Sequence, residues 1–258
     1  MTRGFVIMAQ NTEKTDYVKC AKALELSIKR VMPDAMVTII TTDMLPYGDQ
    51  ALDSDWKLIN DWQVYEASPY DETIKLEADM FLPRSIEHWF DIMSINDVTL
   101  CTKIRNYKGE ISDVRVYRKF IDDNNLPDIY NAITYFKKSD TAEQFYKIVR
   151  DVFENWEEYK AILKCNPTEE ATTDWVYAIA SHIVGVEKTT LPNFDELSMT
   201  HMKQFVSSTA TENWTDTLVY ELLPDVLRVH TYSQEYPFHY HSKSFSDKII
   251  ERYKWNTL

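Results

Sequence analysis

The sequence predicts a mixed α/β fold in which a mostly parallel central sheet is flanked by helices. Three observations predict it. Apolar runs of strand length alternate with stretches at helical spacing through the first half, the order that strand-helix-strand units need. The chain has 258 residues, 44% of them apolar, enough for a substantial core without disulfide staples. Glycine numbers only 4, and repeats, low-complexity tracts and Gly/Ser linkers are absent, so no domain boundary is visible and a single domain over 1–258 is expected.

The elements follow in order. Residues 4–9 (GFVIMA) read as a buried first strand. Asn11 or Thr12 is placed to cap a helix whose apolar positions are Val18, Ala21, Leu24, Ile28 and Val31, ended by Pro33. Residues 36–41 (MVTIIT) form a second buried strand, closing at Thr42 and Asp43, and a short helix is expected near 62–67. Residues 73–82 (TIKLEADMFL) read as one continuous strand, followed by an amphipathic helix over 86–93 and a strand over 98–102. Residues 104–126 are charged and weakly patterned, like a substrate lid passing over one face. A strand over 130–136 precedes a long helix capped by Ser139 or Asp140, with Phe145, Ile148, Val149, Val152, Phe153 and Trp156 on one stripe. Another helix runs over 172–183 with Gly185 as its C-cap. The last 70 residues read as irregular, closing with a helix over 245–253.

Composition excludes several functions. No run approaches the ~20 apolar residues of a membrane span, and residues 4–9 are too short for a signal peptide. Three scattered cysteines (Cys20, Cys101, Cys165) fit a reduced compartment, so a cytoplasmic protein is expected. A net charge of −13 argues against broad nucleic-acid binding through phosphates. The densest basic stretch holds Lys103, Arg105, Lys108, Arg115, Arg118 and Lys119; it is either a solvated surface or an acceptor-facing patch.

The chemistry centres on Glu77 and Asp79. Along a strand the two point the same way. Adjacent carboxylates at a strand tip repel unless a cation lies between them, and oxygen-rich sites of this sort suit Mg²⁺ or Mn²⁺. Open α/β sheets bind ligands at the carboxyl ends of their strands. An ordinary pair of solvated acids is the alternative.

Residues 68–80 (SPYDETIKLEADM) resemble the DxD segment of GT-A glycosyltransferases, Rossmann-like nucleotide-diphospho-sugar transferases. The resemblance implies that Glu77 and Asp79 bind the metal that bridges the donor diphosphate. Glu77 replaces the usual first Asp and is one methylene longer, which leaves Asp79 as the direct ligand and lets Glu77 reach the ion through a water. The resemblance divides the domain into a nucleotide-sugar and metal half (1–100) and an acceptor half with a C-terminal extension (101–258). It places Gln10, Asn11 and Tyr17 on the nucleotide. Residues 130–139 (YNAITYFKKS) resemble the strand after the DxD, which gives Asn131 the donor sugar; Ile133 stands where the family has a small glycine. Asp174, in the Thr172-Thr173-Asp174-Trp175 helix start, is the catalytic candidate near the acceptor, or else an acid complementing the helix dipole. The third metal ligand is expected to be His201, with Lys203 on the diphosphate; His239 and His241, near Lys243, compete for the role.

The implied activity is metal-dependent transfer of a sugar from a UDP-sugar to a hydroxyl. The small chain further resembles glycosyltransferases of T-even-like bacteriophages, which implies arabinosyl or glucosyl transfer onto 5-hydroxymethylcytosine in DNA, with the base flipped out or single-stranded. A glycan, lipopolysaccharide or protein acceptor is the alternative. A sugar nucleotidyltransferase would show a Gly-rich loop with a basic residue where this chain has Gln10-Asn11-Thr12-Glu13, and a non-catalytic binding module would be indifferent to loss of Asp79.

Overall fold

A computed structural model describes residues 1–52, 54–164, 166 and 169–254; Cys165 lies outside them. In chain order the elements are β1 (Arg3–Met8), α1 (Tyr17–Val31), β2 (Val37–Ile40), α2 (Val64–Ala67), β3 (Glu72–Glu77), β4 (Met80–Phe81), α3 (Trp89–Met93), β5 (Val98–Leu100), β6 (Lys103–Arg105), α4 (Lys119–Asp123), β7 (Ile133–Lys137), α5 (Asp140–Glu154), α6 (Trp156–Ile162), α7 (Thr173–Val184), β8 (Ser198–His201), β9 (Tyr220–Leu222), β10 (Leu227–Val229), β11 (Tyr232–Ser233), β12 (Phe238–His239) and α8 (Phe245–Tyr253).

The central sheet has the order β2-β1-β3-β7-β5. β1 pairs in parallel with β2 and β3, whereas β7 is antiparallel to both β3 and β5. Four of its five strands therefore run the same way, as the βα alternation predicted. Alternation along β1 supplies both faces of the sheet. Phe5 and Ile7 pack with Ala21, Leu24 and Ile28 of α1 and with Trp89 and Phe90 of α3. Val6 faces the opposite layer, built from Phe145, Val149 and Val152 of α5 and Val176, Tyr177 and Ala180 of α7. Close approach fixes Gly4 in β1. A Cβ there would lie 2.4 Å from the ring of Tyr70, whose hydroxyl is bonded to Thr38 Oγ1 at 2.7 Å. Gly4→Ala is expected to cost about 1–3 kcal/mol through overpacking, read as a lower urea midpoint; an unchanged midpoint would show that the ring shifts freely.

The caps explain several boundaries. α5 starts at Ser139, whose hydroxyl accepts from Ala142 N, and α7 at Thr172, whose hydroxyl accepts from Trp175 N. Gly185, at φ +115°, closes α7 as expected. α1 begins later than the sequence indicated. Thr12 and Thr15 close a turn of their own, Asn11 Oδ1 accepts from Val18 N at 2.9 Å, and the cap is Asp16, which accepts from Lys19 N.

Two further expectations are corrected. The strand read over 73–82 is broken: β3 ends at Glu77, a turn holds Ala78 and Asp79, and β4 belongs to a second sheet of order β4-β12-β8-β6. The physical reason is a loss of partners. β1 ends opposite Glu77 and β7 begins opposite Leu76, so, among the described residues, residues 80–81 pair only with β12. The C-terminal region is not irregular either. It contributes β8 and β12 to the second sheet and a β11-β10-β9 meander, over a third core of Trp214, Leu227, Phe238, Phe245 and Ile249. α8 packs on α1. Among the described residues, no helix is long and apolar enough to cross a membrane.

Candidate active site

A cleft of about 290 Å³ opens at the carboxyl ends of β1 and β3. The start of α1 forms one wall, residues 55–61 another, and the loop after β12 a third. This is where an open α/β sheet presents strand ends and loops to a ligand.

Glu77, the last residue of β3, and Asp79, in the turn beyond it, both reach this cleft. They do not share a continuous strand, yet their carboxylates converge. Glu77 Oε2 and Asp79 Oδ2 are each 3.2 Å from His239 Nε2. The turn is anchored because Tyr240 N donates to the Asp79 carbonyl at 3.1 Å. Lys243 Nζ also donates to Asp79 Oδ2.

The two acids are electrostatically unequal. Burial, reinforced by the adjacent Asp79 charge, pushes the Glu77 carboxyl up against the pull of His239. Burial also works against the Asp79 carboxylate, but His239 and Lys243 beside it hold it well below the usual carboxylate range. Lys243 is in turn raised: burial disfavours its charge, and Asp79 more than offsets this. Two carboxylates and an imidazole nitrogen make a donor set that suits Mg²⁺ or Mn²⁺, and one ligand atom from each lies within 4.8 Å of the others.

The structure sorts the candidate residues. Gln10 is buried in the cleft wall with its Nε2 unpartnered, a donor that a ligand oxygen would satisfy. Tyr17 lines the cleft, with Lys243 Nζ 5.3 Å from its ring centre. Asn11 is outside the lining; its side-chain oxygen fixes the loop before α1. His239 rather than His201 lies against the acids. His201, its register partner on β8, stands behind, with ring centres 5.0 Å apart. Burial, together with the neighbouring His241 and His239, pushes His201 well below the usual imidazole range. Lys203 is exposed, its Nζ 5.0 Å from the Tyr117 ring centre and outside the cleft, whereas Lys243 lines the cleft and reaches Asp79.

Asn131 and Asp174 lie behind the cleft wall. Asn131 Nδ2 donates to Asp61 Oδ2 at 3.1 Å, and its Oδ1 accepts from Thr134 at 2.8 Å. Asp174 accepts from Asn131 N at 2.9 Å and from Arg118 Nη1 at 2.8 Å, so both of its oxygens are engaged. Between these residues and the ligand space lies a pair that sequence reading missed. Lys75 Nζ meets Asp61 Oδ1 at 2.7 Å, both groups buried in the cleft wall, and Tyr177 OH donates to Asp61 Oδ2 at 2.6 Å. The available signal was a lysine between Ile74 and Leu76 in the middle of a predicted strand, two residues before Glu77 and so on the same face.

The basic stretch is largely neutralised within the chain. Lys103 pairs with Asp195, Arg115 with Asp122 and Asp128, Arg118 with Asp128 and Asp174, and Lys119 with Asp123.

No protein-family model and no curated protein sequence matches the chain. Solved structures do. The galactosyltransferase LgtC, in complex with donor and acceptor sugar analogs, aligns over 99% of this chain and 96% of its own, with a TM-score of 0.52 at 10% identity. The fold is that of GT-A glycosyltransferases. GlyE of Streptococcus pneumoniae TIGR4 aligns over 73% of this chain with a TM-score of 0.42 at 9% identity, and the bifunctional WbbM over 74% with 0.44 at 14%. The chain spans 45% of the GlyE chain and 39% of the WbbM chain, less than half of each. At 10% identity the likeness to LgtC shows the fold alone, and function has to be argued from the site.

Proposed function

We propose that the chain is a divalent-metal-dependent glycosyltransferase that moves a sugar from a nucleotide-diphosphate donor, UDP-linked in the sequence reading, to a hydroxyl acceptor. The observation that carries this is the convergence of Glu77, Asp79, His239 and Lys243 on one wall of a cleft at the strand ends. Glu77, Asp79 and His239 would hold the ion. A bound Mg²⁺ or Mn²⁺ supplies positive charge that stabilises a departing nucleoside diphosphate. Lys243 adds a fixed ammonium beside it, and Gln10 and Tyr17, which line the same cleft, hold the nucleotide. Asp61 and Lys75 shape the polar floor of the cleft, positioned by Asn131 and Tyr177. Asp174 acts through Asn131 and Arg118 as a positioning residue rather than as a free base.

For the acceptor, a hydroxyl on a glycan, lipopolysaccharide or protein fits the acidic chain better than 5-hydroxymethylcytosine in DNA. The basic stretch that would meet a polyanion is mostly spent on internal carboxylates. The deciding experiment is a donor-hydrolysis screen of UDP- and GDP-sugars with Mn²⁺ or Mg²⁺, followed by acceptor arms with hydroxymethylated DNA and small glycans. Nucleotide release from at least one donor, lost on adding EDTA, is expected. No release from any donor would favour a binding module, and full turnover in EDTA would remove the metal.

A further inference from the structure

We infer that His201, His239 and His241 form a second cation site, of nitrogen-donor type, that takes a borderline transition ion such as Zn²⁺ beside the oxygen-rich site of Glu77 and Asp79. One ring nitrogen from each histidine lies within 4.8 Å of the other two. His241 Nε2 and His201 Nδ1 are 3.3 Å apart. Two nitrogens on a tetrahedral ion, each about 2.0–2.1 Å from it, are separated by roughly 3.3 Å. That spacing also fits an N–H···N hydrogen bond, so two further observations decide for an ion.

The first is an orphaned nitrogen. His239 turns Nε2 toward the acids, and its Nδ1 is buried without a hydrogen-bond partner. A buried polar atom is seldom left in that state unless something absent from the protein chain satisfies it. The second is backbone strain. His241 holds φ +55°, a left-handed conformation uncommon for a residue other than glycine. Such strain persists where the surroundings over-determine it, and it concentrates at ligand sites. Here it brings the His241 ring edge-on to within 4.6 Å of His201 and stacks it on His239 at 4.0 Å, centre to centre.

The register of β8 against β12 makes the cluster, because it pairs His201 with His239 across parallel strands. Three imidazoles without a carboxylate select borderline ions over Mg²⁺ or Ca²⁺, and the fourth tetrahedral position is left to water or an anionic oxygen. His239 belongs to both groups of candidate ligands. A neutral imidazole offers one lone-pair nitrogen, so the two sites fill together only if the ring gives up its remaining N–H proton; otherwise Nδ1 serves the ion while Nε2–H is held by the acids. This inference does not depend on sugar transfer, because its readout is metal binding alone.

The test is titration of the metal-free chain with Co²⁺, which reports a tetrahedral nitrogen-rich site by an intense visible band. The wild-type chain is expected to show that band, and Zn²⁺ but not Mg²⁺ should displace it. His201→Gln and His241→Asn should lose it while still binding Mn²⁺, and Asp79→Asn should keep it. Asparagine accepts the left-handed conformation at 241, so that variant decides the matter if the buried His201→Gln fails to fold. A wild-type chain without the band, a band that survives His241→Asn, or a band lost with Asp79→Asn would each overturn the second site.

Discussion

Asp79→Asn is expected to lower turnover by on the order of 10³-fold while leaving the fold intact. Asparagine is nearly isosteric, so the turn and the hydrogen bond from Tyr240 N to the residue 79 carbonyl persist. What disappears is the negative charge shared by His239 and Lys243. Without it the cation loses its most strongly ionised ligand, since Glu77 is pushed toward its protonated form by burial. The defect should appear in kcat/KM at saturating Mn²⁺ and should not be rescued by Mg²⁺. Asp43→Asn, on the exposed turn after β2, is the control that leaves turnover unchanged. Activity within a few-fold of wild type would mean that Asp79 does not carry the ion.

Lys75→Met is expected to destabilise the chain by about 3–5 kcal/mol, because it leaves the Asp61 carboxylate buried and unpaired. In a protein of this size that corresponds to a fall of roughly 6–20 °C in melting temperature. Pairing it with Asp61→Asn should recover most of the loss. Asparagine keeps an acceptor for Tyr177 OH and removes the stranded charge. A double-mutant cycle isolates the coupling. If the single variant melts within a degree or two of wild type, the pair is not a buried ionic contact, and the polar floor of the cleft has to be rebuilt from other residues.

These two expectations differ in how far the sequence foretold them. Glu77 and Asp79 stand out in one dimension, because an acid-x-acid pair at the end of a predicted strand is open to a cation as well as to solvent, and the resemblance of residues 68–80 to a DxD segment favours the cation. α5 and α7 are legible in one dimension as well. Ser139, Thr172 and Gly185 act on backbone groups within a few residues of themselves. The Lys75 pair is visible as an anomaly in a strand, but Asp61 lies on a separate 3₁₀ segment, and only tertiary packing joins them.

The third ligand shows the same limit. His201 and His239 lie on strands of four and two residues, too short to carry a readable alternation. Their pairing is set by β4 and β8, remote in sequence, and the side chain that reaches the acids follows from that register. Lys203 lies away from the cleft for a related reason. It leaves β8 in an exposed turn, while Lys243 returns to Asp79 from the loop before α8. The end of β3 follows from where β1 stops and β7 starts, which no local pattern within residues 73–82 records.

The measurement closest to the centre of this account is an electron paramagnetic resonance titration of Mn²⁺ into the purified chain, with and without UDP. Bound Mn²⁺ is expected, with an affinity that rises when UDP is present and that is lost in Asp79→Asn. Free Mn²⁺ throughout the titration, or binding indifferent to both UDP and Asp79, would contradict it.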